Sequence, residues 1–265
     1  MNRAIYFGKY RRFDSYYGHL NLSARGLPDA EELKYLNLVK DQVPAELFTK
    51  PMEWPHYFTP LQRRANMKAA IELLESAGYH LVNNRLIGKD GKQLSVEFLL
   101  STIRPYEEQP TALYVASLKR LGIDAQIRKV DQAQFLNRAI NYDYDVVLQL
   151  VKQSNSPGNE QLEYFGSSYA TMKGGRNYAG VKNPAVDKLI TLLLAAKTAE
   201  EVQATTRALD RVLLWNYYAV PLGQEREINI AYWEKMSFPA LQPPYLGFDF
   251  LSGWINDNTA NSVQH

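Results

Sequence analysis

Sixteen residues, "QSNSPGNEQLEYFGSS" at 153–168, concentrate amides, hydroxyls and one bend-forming Pro-Gly pair directly after an apolar run. Gln153, Ser154, Asn155, Ser156, Asn159, Glu160, Gln161 and Tyr164 are joined a few residues later by Arg176, Asn177 and Tyr178 of "GGRNYAG". Amide side chains donate and accept at once, so this set can hydrogen-bond a peptide backbone of any sequence, while the rings cover side chains. Arg176 supplies a planar fork for a carboxylate or phosphate. The same composition also suits a plain turn followed by a short surface helix.

Other chemistry finds less support. His19, His56, His80 and His265 have no partner at helical metal-pair spacing, and the chain has no cysteine, so neither a Cys-zinc site nor a thiol nucleophile can be built. No Gly-x-Ser-x-Gly elbow and no phosphate-binding glycine run occurs. The carboxylate pairs Glu31–Glu32 and Glu107–Glu108 fall at helix starts, where the dipole accounts for them. No metal, no cofactor and no enzyme activity is expected. The formal net charge is +2 with basic residues dispersed, which does not point to nucleic acid.

At 265 residues, 46% hydrophobic and 22% charged, the chain can build one large or two modest globular units. No apolar run approaches the ~20 residues that span a bilayer, and residues 1–13 lack the apolar core of a signal peptide.

The elements that must position the polar set read as follows. Residues 29–40 form a short helix with acids in its first turn. Thr59 and Pro60 open a helix with Met67, Ile71 and Leu74 on one face, ended by Gly78. Asn83–Asn84 and Asp90–Gly91 are turns of a small hairpin. Strands at 94–101, 123–130 and 144–151 alternate with helices at 106–122 (Tyr114, Leu118 and Leu121 inward) and 132–141 (capped by Asp131). That alternation predicts an open α/β sheet, whose ligands sit beyond the carboxyl ends of the strands, where the 153–168 stretch falls. Two helices follow. Asn183–Pro184 starts one, with Val186, Leu189, Ile190, Leu193 and Leu194 inward. Thr198 caps the other with Glu201 as its box partner, and Val202, Thr205, Leu209 and Leu213 face inward. "YAVPLG" and "REINIAYW" read as strands, and the tail from 237 carries Pro239, Pro243 and Pro244.

In order along the chain, "LKRLGIDAQIRKVDQAQFLNRAINYDYDVV", "SPGNEQLEYFGSS", "NYAGVKNPAVDKLI" and "ALDRVLLWNYYAVPL" resemble the extracellular solute-binding proteins of oligopeptide and dipeptide ABC importers, solute-binding family 5. With "YFGKYRRFDSYYGHLNLSARGLP" near the start, the sequence is similar to the Yej-type subgroup, associated with uptake of peptides and of the peptide-nucleotide microcin C. The resemblance implies an α/β fold of the type II periplasmic-binding-protein kind, with an open mixed sheet and flanking helices. Because family members are about twice as long, it implies the C-terminal half only. Residues 1–28 would lead in, 29–220 would form the second lobe, and 221–265 would cross the hinge and supply strands to a first lobe lying outside this sequence. It further implies a peptide ligand, an inner-membrane ABC permease as partner, a periplasmic setting and a monomer. In one respect the sequence departs from the family. Oligopeptide binders commonly place a Trp and an Asp around the loop corresponding to 150–156, where the Asp meets the ligand's amino terminus. Here that loop has neither, Lys152 opposes a cation, and Glu160 is the available substitute. An interaction domain without ligand and, less favoured, an α/β hydrolase are the alternatives.

Overall fold

The computed structural model describes residues 5–18, 21–55, 59–225, 230–241 and 248–255. The chain divides into two compact units, one comprising 12–222 and the other 2–11 with 223–265.

In the larger unit, Asp29 opens helix α1 (Ala30–Leu36) by accepting from the N–H groups of Glu31 and Glu32, while Glu32 returns a bond to the Asp29 N–H. This reciprocal capping satisfies donors that a helix start otherwise leaves unpaired. Thr59 and Gln62 repeat the device at α2 (Pro60–Ser76), and Gly78, at φ +93°, ends that run. Strands β1 (His80–Val82) and β2 (Arg85–Ile87) pair antiparallel around Asn83 and Asn84, both at positive φ, as a two-residue hairpin requires.

The central sheet has three parallel strands: β3 (Ser95–Ser101) lies between β4 (Asp124–Val130) and β5 (Val146–Val147). Helix α3 (Glu108–Lys119) connects the first pair, and α4 (Gln132–Ile140), capped by Asp131, leads on to β5. Successive residues of a strand face opposite ways. Phe98 accordingly packs with Val115, Leu121 and Ala125, and with Met67, Ile71 and Leu74 of α2, whereas Leu99 packs with Val130, Phe135 and Ala139. Within α3, Pro110, Thr111 and Val115 are the buried residues, and Tyr114, expected inward, is 37% exposed with its ring set edge-on to Phe98 at 5.8 Å.

Further expectations are corrected. The strand predicted over 144–151 forms ladder only at 146–147. The Asp145 carboxylate takes the N–H of Glu97, and further on Val151 leaves the sheet to pack on the helical core. Residues 218–223 form no strand, because Pro221 offers no donor. Leu194 is 40% exposed, just before its helix ends. The first half of "REINIAYW", 226–229, lies outside the described residues, as do 242–247 and 256–265 of the tail, and the second half of that stretch, 230–233, forms no strand.

A short helix, α5 (Glu160–Phe165), precedes the helical core built by α6 (Pro184–Ala195) and α7 (Ala199–Trp215). Asn183 caps α6 through the Ala185 N–H, and Thr198 caps α7 through the Glu201 N–H. The Glu201 carboxylate reaches back to the Lys197 N–H, one residue before the cap, so the capping box is displaced. Leu189, Ile190, Leu193, Leu209, Val212 and Leu213 are buried together with Leu36, Leu47 and Phe165. The second unit contains two short antiparallel pairs, Tyr10–Arg11 with Gln224–Glu225 and Met236–Ser237 with Trp254–Ile255.

Two charged residues of α7 are buried and bind the lead-in segment. Asp210 accepts from the Ser15 hydroxyl at 2.7 Å and from the N–H groups of Tyr16 (3.0 Å) and Ala24 (2.9 Å). Arg211 pairs with Glu32 at 3.0 Å and donates to the carbonyls of Gly26 and Arg25.

Burial pushes the Asp210 carboxyl up to about 7, against the pull of its donors and of Arg211. The folded chain therefore keeps that proton to higher pH than the unfolded chain. The group's stabilisation is complete below its ordinary value of 3.8 and is lost as pH rises through about 7. Urea denaturation of wild type and Asp210→Asn from pH 4 to 8 should show wild-type stability falling relative to the variant by up to about 4 kcal/mol. A difference that stays flat with pH refutes this.

Candidate ligand-binding site

The chain leaving β5 runs as an irregular loop through 148–159, enters α5, and continues as a second loop through 166–183. The first follows the carboxyl end of parallel strand β5, the edge where open α/β sheets receive ligands, and the second follows α5. A Cβ on Gly166 would stand 2.6 Å from the Leu162 carbonyl, so the tight exit from α5 excludes any other residue. Gly175 is similarly confined by the carbonyls of Met172 and Tyr169.

The expected site residues fall into two groups. Gln161, Tyr164 and Asn177 are buried. The Asn177 amide donates to the carbonyls of Gly166 and Val181 and accepts from the Val181 N–H, closing the second loop on itself. Gln161 accepts from the Tyr17 hydroxyl at 2.6 Å and donates to Gln153 Oε1 at 2.7 Å and to Glu160 Oε1 at 3.1 Å. Ser154, Asn155, Ser156, Asn159 and Arg176 are exposed, and Gln153, Glu160 and Tyr178 are half-buried. Ser154 Oγ accepts from the Ser156 N–H, and the Asn159 side chain makes no capping bond although it precedes α5.

Arg176 lies over the Tyr164 ring, 4.6 Å from its centroid, donates to the Tyr164 hydroxyl at 2.8 Å, and approaches Glu163 at 3.4 Å. Stacking and the hydroxyl acceptor orient a guanidinium that remains about half exposed (47%), where it can meet an anion. The Tyr144 hydroxyl donates to the Tyr178 carbonyl and holds the second loop against the sheet. Burial, with Tyr142 and Tyr178 alongside, pushes that hydroxyl up to about 12, so it remains a donor at ordinary pH.

Sequence reasoning missed three residues here. Tyr17 is fully buried and reaches Gln161 from 144 positions away. Tyr144 was read only as part of a strand. Asp187 accepts the Ser167 N–H at 2.8 Å and joins α6 to the loop after α5. No local pattern marks any of them, since each partner lies on a different element.

Residues 29–173, more than half of the chain, match the profile of the bacterial extracellular solute-binding proteins, family 5 Middle, and the chain belongs to that family. It is 44% identical over 261 residues to the Sinorhizobium fredii protein y4wM, covering 98% of this chain and 39% of that protein. To the probable peptide-binding protein YejA of Agrobacterium fabrum it is 39% identical over 262 residues, covering 98% and 42%. The chain thus spans about two fifths of the length of these relatives. A mannohexaose-bound periplasmic oligopeptide-binding protein of Thermotoga maritima shares the fold, with a TM-score of 0.60 at 14% identity over 84% of this chain and 38% of that one.

Replacing Asn177 by Ala removes three buried hydrogen bonds at once. It should cost about 1–3 kcal/mol, the usual penalty for orphaned buried groups. Denaturant titration measures the loss, and accelerated amide exchange at Val181 locates it; unchanged exchange there would assign the stability to other contacts.

Proposed function

We propose that this chain is the second, ligand-binding lobe of a periplasmic peptide-binding protein that delivers its ligand to an ABC importer. In this reading residues 1–28 lead into the lobe, 29–220 form it, and 221–265 return to a first lobe. The observation that carries the reading is the division of labour in the two loops. Buried Asn177 fixes the backbone of the second loop, and buried Gln161 and Tyr164 anchor the Gln153 and Arg176 side chains, which leaves Asn155, Asn159 and Arg176 exposed. Amides of this kind suit backbone groups of any sequence, and an exposed, stacked guanidinium suits a carboxylate. Membership of the solute-binding family and likeness to a protein named as peptide-binding support the same class of ligand.

A ligand clamped between lobes loses most of its surface to both, whereas one lobe buries only part of it. The isolated chain should therefore bind peptides at about 1 mM or more weakly. Paired with the portion of Agrobacterium fabrum YejA that it does not match, it should bind alanine peptides of two to five residues measurably in calorimetry, and mannohexaose should not compete. Asn159→Ala and Arg176→Ala should each weaken that binding by about 1–3 kcal/mol. Unchanged affinity in both variants would return the loops to a structural role, and cleavage of the peptide by the wild-type pair would reject a binding protein.

A further inference from the structure

The amide pair in the first loop has a fixed polarity, and a carboxylate fixes it. Gln161 makes its full complement of bonds within the protein. Its Oε1 accepts from the Tyr17 hydroxyl (2.6 Å) and, at 3.4 Å, from Gln153 Nε2; its Nε2 donates to Gln153 Oε1 (2.7 Å) and Glu160 Oε1 (3.1 Å). An amide can be turned end for end at little cost when its neighbours both donate and accept, as hydroxyls and other amides do. Glu160 is the exception, because a carboxylate only accepts. A reversed Gln161 would set its carbonyl oxygen against that carboxylate, so Nε2 must face Glu160 and Oε1 must face Tyr17. Burial, together with the nearby Asp210 and Glu160, holds the Tyr17 hydroxyl well above its usual range, which keeps it the donor this arrangement needs.

The polarity passes outward to Gln153. Its Oε1 faces the Gln161 N–H and its Nε2 the Gln161 oxygen. One N–H of Gln153 Nε2 then has no partner among the described residues, on a side chain that is only half-buried. Glu160 itself already accepts two protein donors through Oε1, Gln161 Nε2 and the Gly158 N–H at 2.9 Å. That oxygen is thereby taken up within the loop. Lys152, exposed just before Gln153, adds a positive charge on this side, while Arg176 over Tyr164 is paired with Glu163 at 3.4 Å.

We infer that Glu160 is a positioning residue that sets the donor–acceptor polarity of the Gln161–Gln153 pair, so that the loop offers Gln153 Nε2 to an acceptor on the ligand, a peptide carbonyl or carboxylate. This rests on the peptide-binding reading above. At Gln153 the loop thus meets an oxygen of its ligand.

The test uses this chain paired with the unmatched portion of Agrobacterium fabrum YejA, with alanine peptides of two to five residues as the probe. Gln153→Ala should weaken binding about tenfold, the loss of one hydrogen bond, and Gln153→Glu, an acceptor of the same shape, about a hundredfold. If Gln153→Glu binds as well as wild type or better, Gln153 accepts from the ligand and the inference is overturned. Nitrogen-edited NMR supplies a second readout that needs no ligand. Glu160→Gln should shift and broaden the side-chain amide signals of Gln161 and Gln153, and unmoved signals would overturn the role given to Glu160. Absence of all peptide binding in the wild-type pair rejects the peptide reading and the ligand contact with it, while the amide signals still decide whether Glu160 sets the polarity.

Discussion

Asp210 and Arg211 are neighbours on one helix, both fully buried, and together they hold the chain from Ser15 to Glu32 against it. A buried carboxylate and a buried guanidinium are tolerable only when their hydrogen-bonding capacity is taken up. Here the lead-in backbone takes it up. Asp210 receives two of its N–H groups, and Arg211 gives to two of its carbonyls. The arrangement converts a segment with almost no regular secondary structure into a fixed part of the core. Tyr17 lies in that segment. Its N–H donates to Ser15 Oγ, the same hydroxyl that donates to Asp210, and its phenol reaches Gln161. The orientation of the first loop thus depends on two buried ionisable side chains in the C-terminal half of α7.

Each loop is held by one buried amide. Asn177 bonds the backbone of the second loop, and Gln161, on α5, bonds side chains, tying Gln153 of the first loop to Tyr17 and Glu160. An amide donates and accepts at separate ends, so one side chain can serve partners of both kinds. Around these hubs the exposed residues include Ser154, Asn155, Ser156 and Asn159, the larger Leu150, Lys152 and Met172, and Arg176, whose position is set by the Tyr164 ring beneath it. Fold does not choose the ligand in such an architecture. The Thermotoga maritima protein of the same fold is described as bound to mannohexaose, so the fold by itself names no ligand.

The sheet contributes by ending early. β5 pairs with β3 over two residues, and the chain then departs so that Val151 packs among the side chains of the helical core. A longer ladder would have carried residues 148–151 along the sheet and moved the polar stretch away from Tyr17 and α5. The strand that centres the sheet faces two apolar clusters through adjacent residues, Phe98 and Leu99. Its register with β4, seven consecutive pairs, is consequently well determined.

Local rules settled a good deal from the sequence. Asp29, Thr59, Asp131, Asn183 and Thr198 cap the helices they precede, because a cap depends on the next two or three residues only. The alternation of strands and helices from 94 to 147 was legible from periodicity, as were the α/β class and the family. The ordered motifs also drew attention to 153–168 and 174–180. The division of those residues into buried hubs and outward-facing groups was not legible there. Gln161 and Asn159 look equally polar in a string, yet one is wholly enclosed because Tyr17, Gln153 and Glu160 converge on it. Asp210 and Arg211 read as a polar interruption of the apolar stripe on α7, and only their partners 179 to 195 residues away make them core. Pairing at that separation is a property of the folded chain, since it depends on which surfaces the packing brings together and leaves no local signal in the residues themselves.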